Sequence, residues 1–176
     1  AGADVMVESG AAPGVPHNPA TSHYGGGVYL QNEGSTFTAT GNSTRVTVES
    51  NTAGQYGGGV YSLAGADVMV ESGAALVVQN NTATSQHGGG VYLQSEGSTF
   101  TATGNNTRVT VESNTAGRSG GGMFLSSGAD VLVESGAALI VQNNKATAYG
   151  AGAALTGRGT SLTVVDSECQ LLVINN

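Results

Sequence analysis

Tryptophan is absent, cysteine occurs once, proline three times, and lysine plus arginine number five in 176 residues. Each shortage excludes something. A lone Cys169 rules out an internal disulfide. Five cations against 12 acids leave a net charge of -7, which argues against nucleic acid and anionic membranes as partners. No stretch approaches the ~18 consecutive apolar residues of a membrane helix, so no membrane insertion of this segment is expected. There is no signal-peptide pattern. The chain opens at Ala1 in mid-repeat, which reads as a mature or excised part of a longer repeat protein.

What is abundant is glycine, with 29 residues and no collagen period. Gly25-Gly26-Gly27-Val28-Tyr29-Leu30 returns as Gly57-Gly58-Gly59-Val60-Tyr61, Gly88-Gly89-Gly90-Val91-Tyr92-Leu93 and Gly120-Gly121-Gly122-Met123-Phe124-Leu125. A worn fifth copy reads Ala151-Gly152-Ala153-Ala154-Leu155. The copies recur at a nearly constant short step, a period that points to a solenoid. A longer period, twice the short one, lies over it. Asp4, Asp67 and Asp130 head near-copies, and residues 25–54 and 88–117 differ only at Asn32/Ser95 and Ser43/Asn106.

Within each short unit three runs alternate between apolar and polar residues, the mark of half-buried strands. In the first they are Val28-Tyr29-Leu30, Thr36-Phe37-Thr38-Ala39-Thr40 and Arg45-Val46-Thr47-Val48-Glu49. Glycine, asparagine and serine separate them, as turns require. The expected fold is all-β: a right-handed parallel β-helix, one domain over residues 1–176, with three short strands per ~31-residue coil and about 5.5 coils. Inward positions are Val28, Leu30, Phe37, Ala39, Val46 and Val48, then Val60, Val68, Val70, Leu76 and Val78. Outward positions include Tyr29, Thr36, Thr38, Thr40, Arg45, Thr47, Glu49, Asp67, Met69 and Glu71. Pro13, Pro16 and Pro19 make residues 11–20 an irregular stretch in which one strand is expected to be lost.

Three columns follow from the stacking. Asn51, Asn81, Asn114 and Asn144 each close a Val-x-x-Asn motif and should form an asparagine ladder, favoured by the tolerance of asparagine for left-handed turns. Gly25, Gly26, Gly57, Gly58, Gly88, Gly89, Gly120 and Gly121 should form a tight corner where side chains would clash. No lysine and helix follow these glycines, so they do not read as a phosphate loop. Tyr29, Tyr61, Tyr92 and Phe124 should make an outward aromatic column.

The Gly-Gly-Val and Val-x-x-Asn pairs resemble the G-G-A-[ILV] and F-x-x-N repeats of chlamydial polymorphic outer membrane proteins, also found in large extracellular proteins of algae and protists. Valine here replaces phenylalanine, glycine replaces alanine, and no autotransporter barrel is present in these residues. The resemblance covers nearly all of the chain. It implies a right-handed β-helix, exposure at a cell surface, and a structural or adhesive role.

The rival is an enzyme or lectin acting on polysaccharide. Such a site would gather carboxylates in one break of the repeat. Asp4, Asp67 and Asp130, like Glu8, Glu71 and Glu134, instead follow the repeat and read as solvated outer-face groups, with no catalytic residue, metal or cofactor implied. His17, His23 and His87 show no ligand spacing and read as surface or loop residues. Cys169 shares parity with Leu171 and Val173 and reads as a buried thiol. The threonine rows at 36–40 and 99–103 are interrupted by Asp67, Met69 and Glu71, against ice binding. Asn42, Asn80 and Asn105 head N-x-[ST] sequons and are candidate glycosylation sites. The expected role is a non-enzymatic stalk, fibre or filament module, extracellular or at the cell surface. Its expected partners are further repeats or copies of itself end to end, and host or cell-surface glycans or proteins.

Overall fold

Four parallel ladders, wound one after another, build a single solenoid with an apolar interior. The computed structural model describes residues 4–8, 10–16, 18–20 and 23–176. One coil runs through strands Val28–Gln31, Thr36–Thr40, Arg45–Glu49 and the two-residue Thr52–Ala53. Each strand pairs in parallel with its equivalent in the next coil: Val28 with Val60, Thr36 with Asp67, Arg45 with Ala75 and Thr52 with Thr82. Among the described residues, two of the sheets have six strands and two have five. The short Thr-Ala strand is the element that the sequence pattern did not reveal. Two residues are too few to show alternation, and only stacking makes them a ladder.

The inward residues are where alternation puts them. Leu30, Phe37, Ala39, Val46, Val48, Val60, Val68, Val70, Leu76 and Val78 lie in one continuous core, with Val28 packed at its edge. Facing residues balance volume between coils. Phe37 sits on Val68, which sits under Phe100, while Ala39, Val70 and Ala102 occupy the neighbouring column. A coil with phenylalanine therefore carries alanine beside it, and the next carries two valines. Burying each valine or leucine contributes about 1.5–3 kcal/mol.

Two expectations about the elements need correction. The proline stretch keeps its strands: Gly14–Pro16 and Pro19–Ala20 pair with the second coil through Val15 and Val48, and Pro19 and Thr52. The loss is only a shortening, because these strands lie at the sheet edge, where a missing N–H costs no ladder partner. The fifth glycine copy is Gly150-Ala151-Gly152, since Met123 pairs with Ala153, so that corner begins one residue earlier than the sequence alignment placed it. Thr38 points outward yet is only 8% exposed, because it lies between Met6 and Met69 in its column.

Candidate functional site

The asparagine column is a continuous buried ladder. Asn51 donates its backbone N–H and its Nδ2 to Oδ1 of Asn81, at 2.9 and 3.1 Å. Asn81 does the same to Asn114, and Asn114 to Asn144. The file runs on to Asn176, which accepts both bonds from Asn144. The second Nδ2 proton of Asn81 goes to the Val48 carbonyl at 2.9 Å, and that of Asn114 to the Val78 carbonyl. Each inner amide thus makes all four bonds of which it is capable. The left-handed turn belongs to the residue before: Ser50, Asn80, Ser113 and Asn143 have φ of 56–57°. That residue turns the chain out of the sheet and delivers the next side chain into the ladder.

The glycine corner has three distinct roles. Gly25, Gly57, Gly88 and Gly120 have φ between 57 and 68°, where a side chain is strained. At Gly26, Gly58, Gly89 and Gly121 a Cβ would overlap backbone of the following coil. At Gly27, Gly59 and Gly90 it would lie 2.8–2.9 Å from the Nδ2 of a ladder asparagine. The third role ties the glycine corner to the ladder: a bare backbone lets the amides file past.

The aromatic residues form a second cluster outside the core. Tyr29, Tyr61, Tyr92 and Phe124 stand in register, with the Tyr61 and Tyr92 rings 5.0 Å apart and nearly parallel. Tyr61, Tyr92 and Phe124 are nonetheless buried, so the column is outward but not open. A parallel file covers it: Tyr24 and Tyr56, whose rings stack 5.8 Å apart, then His87, Ser119 and Tyr149. Sequence reasoning misses this second file, although its signal is present. The residue before each glycine corner is aromatic in four of five coils if histidine is counted, and His87 stands one doubled repeat after Tyr24. Tyr61 donates to Oε1 of Gln94 at 2.8 Å, and burial together with neighbouring tyrosines raises its pKa well above the usual phenol value.

His87 is therefore no loop histidine. It stacks 4.2 Å from Phe124 and is half-buried, whereas His23 is exposed and His17 lies outside the described residues. Burial, and then the Arg118 charge, hold the His87 pKa below 6.5, with the Ser119 backbone acting the other way. A lowered pKa means that the unfolded chain takes up the proton more readily. The contribution of His87 is complete above pH 6.5 and is lost as pH falls from there toward the lower folded value. A His87→Phe variant should consequently lose less thermal stability than the parent between pH 7.5 and 5.5. An equal loss in both would remove His87 from the account.

The carboxylates follow the doubled period. In the outer column of one sheet, Glu49, Gln79, Glu112 and Gln142 alternate, and the glutamines donate to the glutamates at 2.7 Å. In another, Thr99 donates to Asp67 at 2.6 Å and Ser161 to Asp130 at 2.7 Å. Acids in one column are thus two coils apart, ~9.6 Å by the strand spacing, about one Debye length at physiological salt. Gln79→Glu would set three carboxylates in successive rungs. It should cost about 1–2 kcal/mol at low salt by cross-strand repulsion, and less at 1 M salt, in urea titrations. Salt-independent stability would contradict this reading.

Asn42 and Asn105 occupy equivalent exposed turns, and each side chain overlies a glycine of the next coil, Gly73 or Gly136. Asn80 is exposed beside the buried Asn81. Cys169 packs at the core edge, partly buried; its backbone N–H donates to Oδ1 of Asp166 at 3.0 Å, and the Cys169 side chain is the chief influence that lowers the Asp166 pKa. The side chain of Asp4 lies outside what is described. Asp67 and Asp130 stand in the column above, each bonded to a hydroxyl.

A parallel β-solenoid carrying an internal amide ladder is the class that these features define. The family of right-handed β-helix regions matches residues 7–169, and the chain belongs to it. No curated protein and no solved structure matches the chain.

Proposed function

We propose that this chain is a structural repeat module, a stiff segment of a stalk, fibre or filament, rather than an enzyme. The observation that carries the reading is the unbroken amide ladder from Asn51 to Asn176, threaded through coils whose outer carboxylates are paired to donors in the next rung. Side chains bonded to their own copies stiffen the stack in proportion to repeat number. Leu171, Leu172 and Val173 are 40–48% exposed, while their counterparts Leu139, Ile140 and Val141 are covered by the next coil. Further repeats, or another copy end to end, fit that rung. Such a coil must veer at Ala151, whose Cβ stands where the inner corners have bare glycine.

Duplicating residues 67–129, one doubled repeat, tests the rod. The maximum dimension from small-angle X-ray scattering should grow by ~9.6 Å, two strand spacings, with an unchanged cross-section. A wider, equally long particle would reject it.

The similarity of the Gly-Gly-Val and Val-x-x-Asn pairs to chlamydial outer-membrane-protein repeats supports an extracellular or cell-surface setting with an adhesive face. Exposed Asn42, Asn80 and Asn105 fit glycosylation in a secreting eukaryote. Intact mass of chain secreted from such a cell decides it: an unmodified 17.3 kDa product rejects glycans. The groove beside Tyr24, Tyr29, Tyr56 and Tyr61 favours a second reading, polysaccharide binding or degradation. A glycan array and a turnover screen on uronic polymers separate it from the first.

A further inference from the structure

One aromatic file breaks at Ser119 and resumes at Tyr149, and the other carries no ring at Ala154, its last described rung. Ser119 stands where the preceding coils carry Tyr24, Tyr56 and His87, and Ala154 stands where they carry Tyr29, Tyr61, Tyr92 and Phe124. Two neighbouring ring positions are therefore unfilled, one between His87 and Tyr149 and one beyond Phe124. A groove of about 440 Å³, as large as the one beside the filled tyrosine stretch, opens at this point and is lined by His87, Arg118, Ser119, Phe124, Tyr149 and Ala154. Its floor is the stacked His87–Phe124 pair, and its far wall is Tyr149, which is 76% exposed.

We propose that this vacancy binds a planar aromatic ring carrying a carboxylate. Its spacing calls for a ring. His87 and Tyr149 are two coils apart along the backbone, ~9.6 Å, and the rung between them, that of Ser119, carries no ring of its own. Successive rings in this file stand 5.8 Å apart at Tyr24–Tyr56 and 6.0 Å at Tyr56–His87. The sign of the charge comes from Arg118, an exposed guanidinium in a chain of net charge -7, at a cavity with no acidic residue in its lining. A guanidinium fork suits a carboxylate and stacks on an aromatic face. Ser119 and Thr156 add hydroxyls at the same cavity. The ring can come from a free aromatic acid or from a tyrosine or phenylalanine flanked by acids in an extended peptide.

Two probes distinguish the sources: 4-hydroxyphenylacetate, and the peptide acetyl-Glu-Tyr-Glu-amide, each titrated into isotope-labelled chain and followed by amide chemical shifts. Cyclohexylacetate serves as the non-planar control. Saturable shifts centred on Ser119, Phe124 and Ala154 with either probe support the site, and the tighter probe identifies the source. Ser119→Tyr restores the missing ring and should weaken binding at least tenfold, with the thermal midpoint equal to or above the parent's. Arg118→Gln, at an exposed position, should weaken it about tenfold with no change of fold. The proposal is overturned if neither probe shifts these amides at 10 mM, if cyclohexylacetate binds equally well, or if both variants bind like the parent. None of these results depends on whether the rod lengthens with added repeats.

Discussion

Asn81→Ala is expected to destabilise the chain by about 3–6 kcal/mol, the sum of several buried hydrogen-bonding groups left without partners. The change strands two buried donors, the backbone N–H and one Nδ2 proton of Asn51, and takes a donor away from the Val48 carbonyl. Each buried group left without a partner costs about 1–3 kcal/mol. Water cannot take over these bonds, because Asn51, Asn81 and Asn114 have no exposed surface. Asn81→Asp should be no milder, since it exchanges the two Nδ2 donors for buried charge. Asn42→Ala, at an exposed turn, should stay within about 0.5 kcal/mol. Urea titration of the three variants beside the parent measures this. Equal midpoints for Asn81→Ala and Asn42→Ala would show that the ladder adds nothing to stability.

Gly89→Ala should be nearly as damaging, for a steric reason. A Cβ at Gly89 would lie 2.5 Å from the Gly121 oxygen and from the Thr115 carbonyl carbon and oxygen. All three are backbone atoms held in ladders, so no side chain can swing aside. The coils must separate at that corner, which breaks the neighbouring Gly90–Gly121 hydrogen bond, 3.0 Å long. Overpacking of this kind costs about 3 kcal/mol or more when the surroundings are rigid. Gly97→Ala is the informative contrast. Its φ is 82°, but a Cβ there meets only the Gly65 Cα at 3.6 Å. It should cost about 1–2 kcal/mol, the strain of a left-handed residue alone. If the two substitutions prove equally mild, the close approach of the coils at this corner is wrong.

These two variants report on adjoining parts of one corner. The ladder asparagine needs its bonding partners above and below, and the third glycine of each triplet stays bare so that the amide can pass. The glycines were legible from the sequence as a tight turn. Their division into a strained φ, a coil-to-coil contact and a contact with the amide was not. Three consecutive glycines look alike in one dimension, and their environments differ only once the next coil is in place.

The histidines show the same limit. Read singly, His87 has no ligand partners and looks like a loop residue. Placed in the file with Tyr24 and Tyr56, it is a ring in a stack, and the burial that lowers its pKa follows from that. Thr38 and the buried tyrosines make the point for outward positions. Alternation says which way a side chain points, but neighbours in adjacent coils decide whether water reaches it.

The sequence by itself determined the period, the inward residues and the asparagine file. A side-chain period of two and a nearly constant coil length leave one register that keeps valine, leucine and phenylalanine from water. Only the tertiary structure decided the fourth short ladder, the second aromatic file, the unfilled positions at Ser119 and Ala154, and the pairing of acids with donors in alternate coils. Each of these depends on what lies one coil away, a full repeat distant along the chain but ~4.8 Å in space, and local pattern carries no record of that contact.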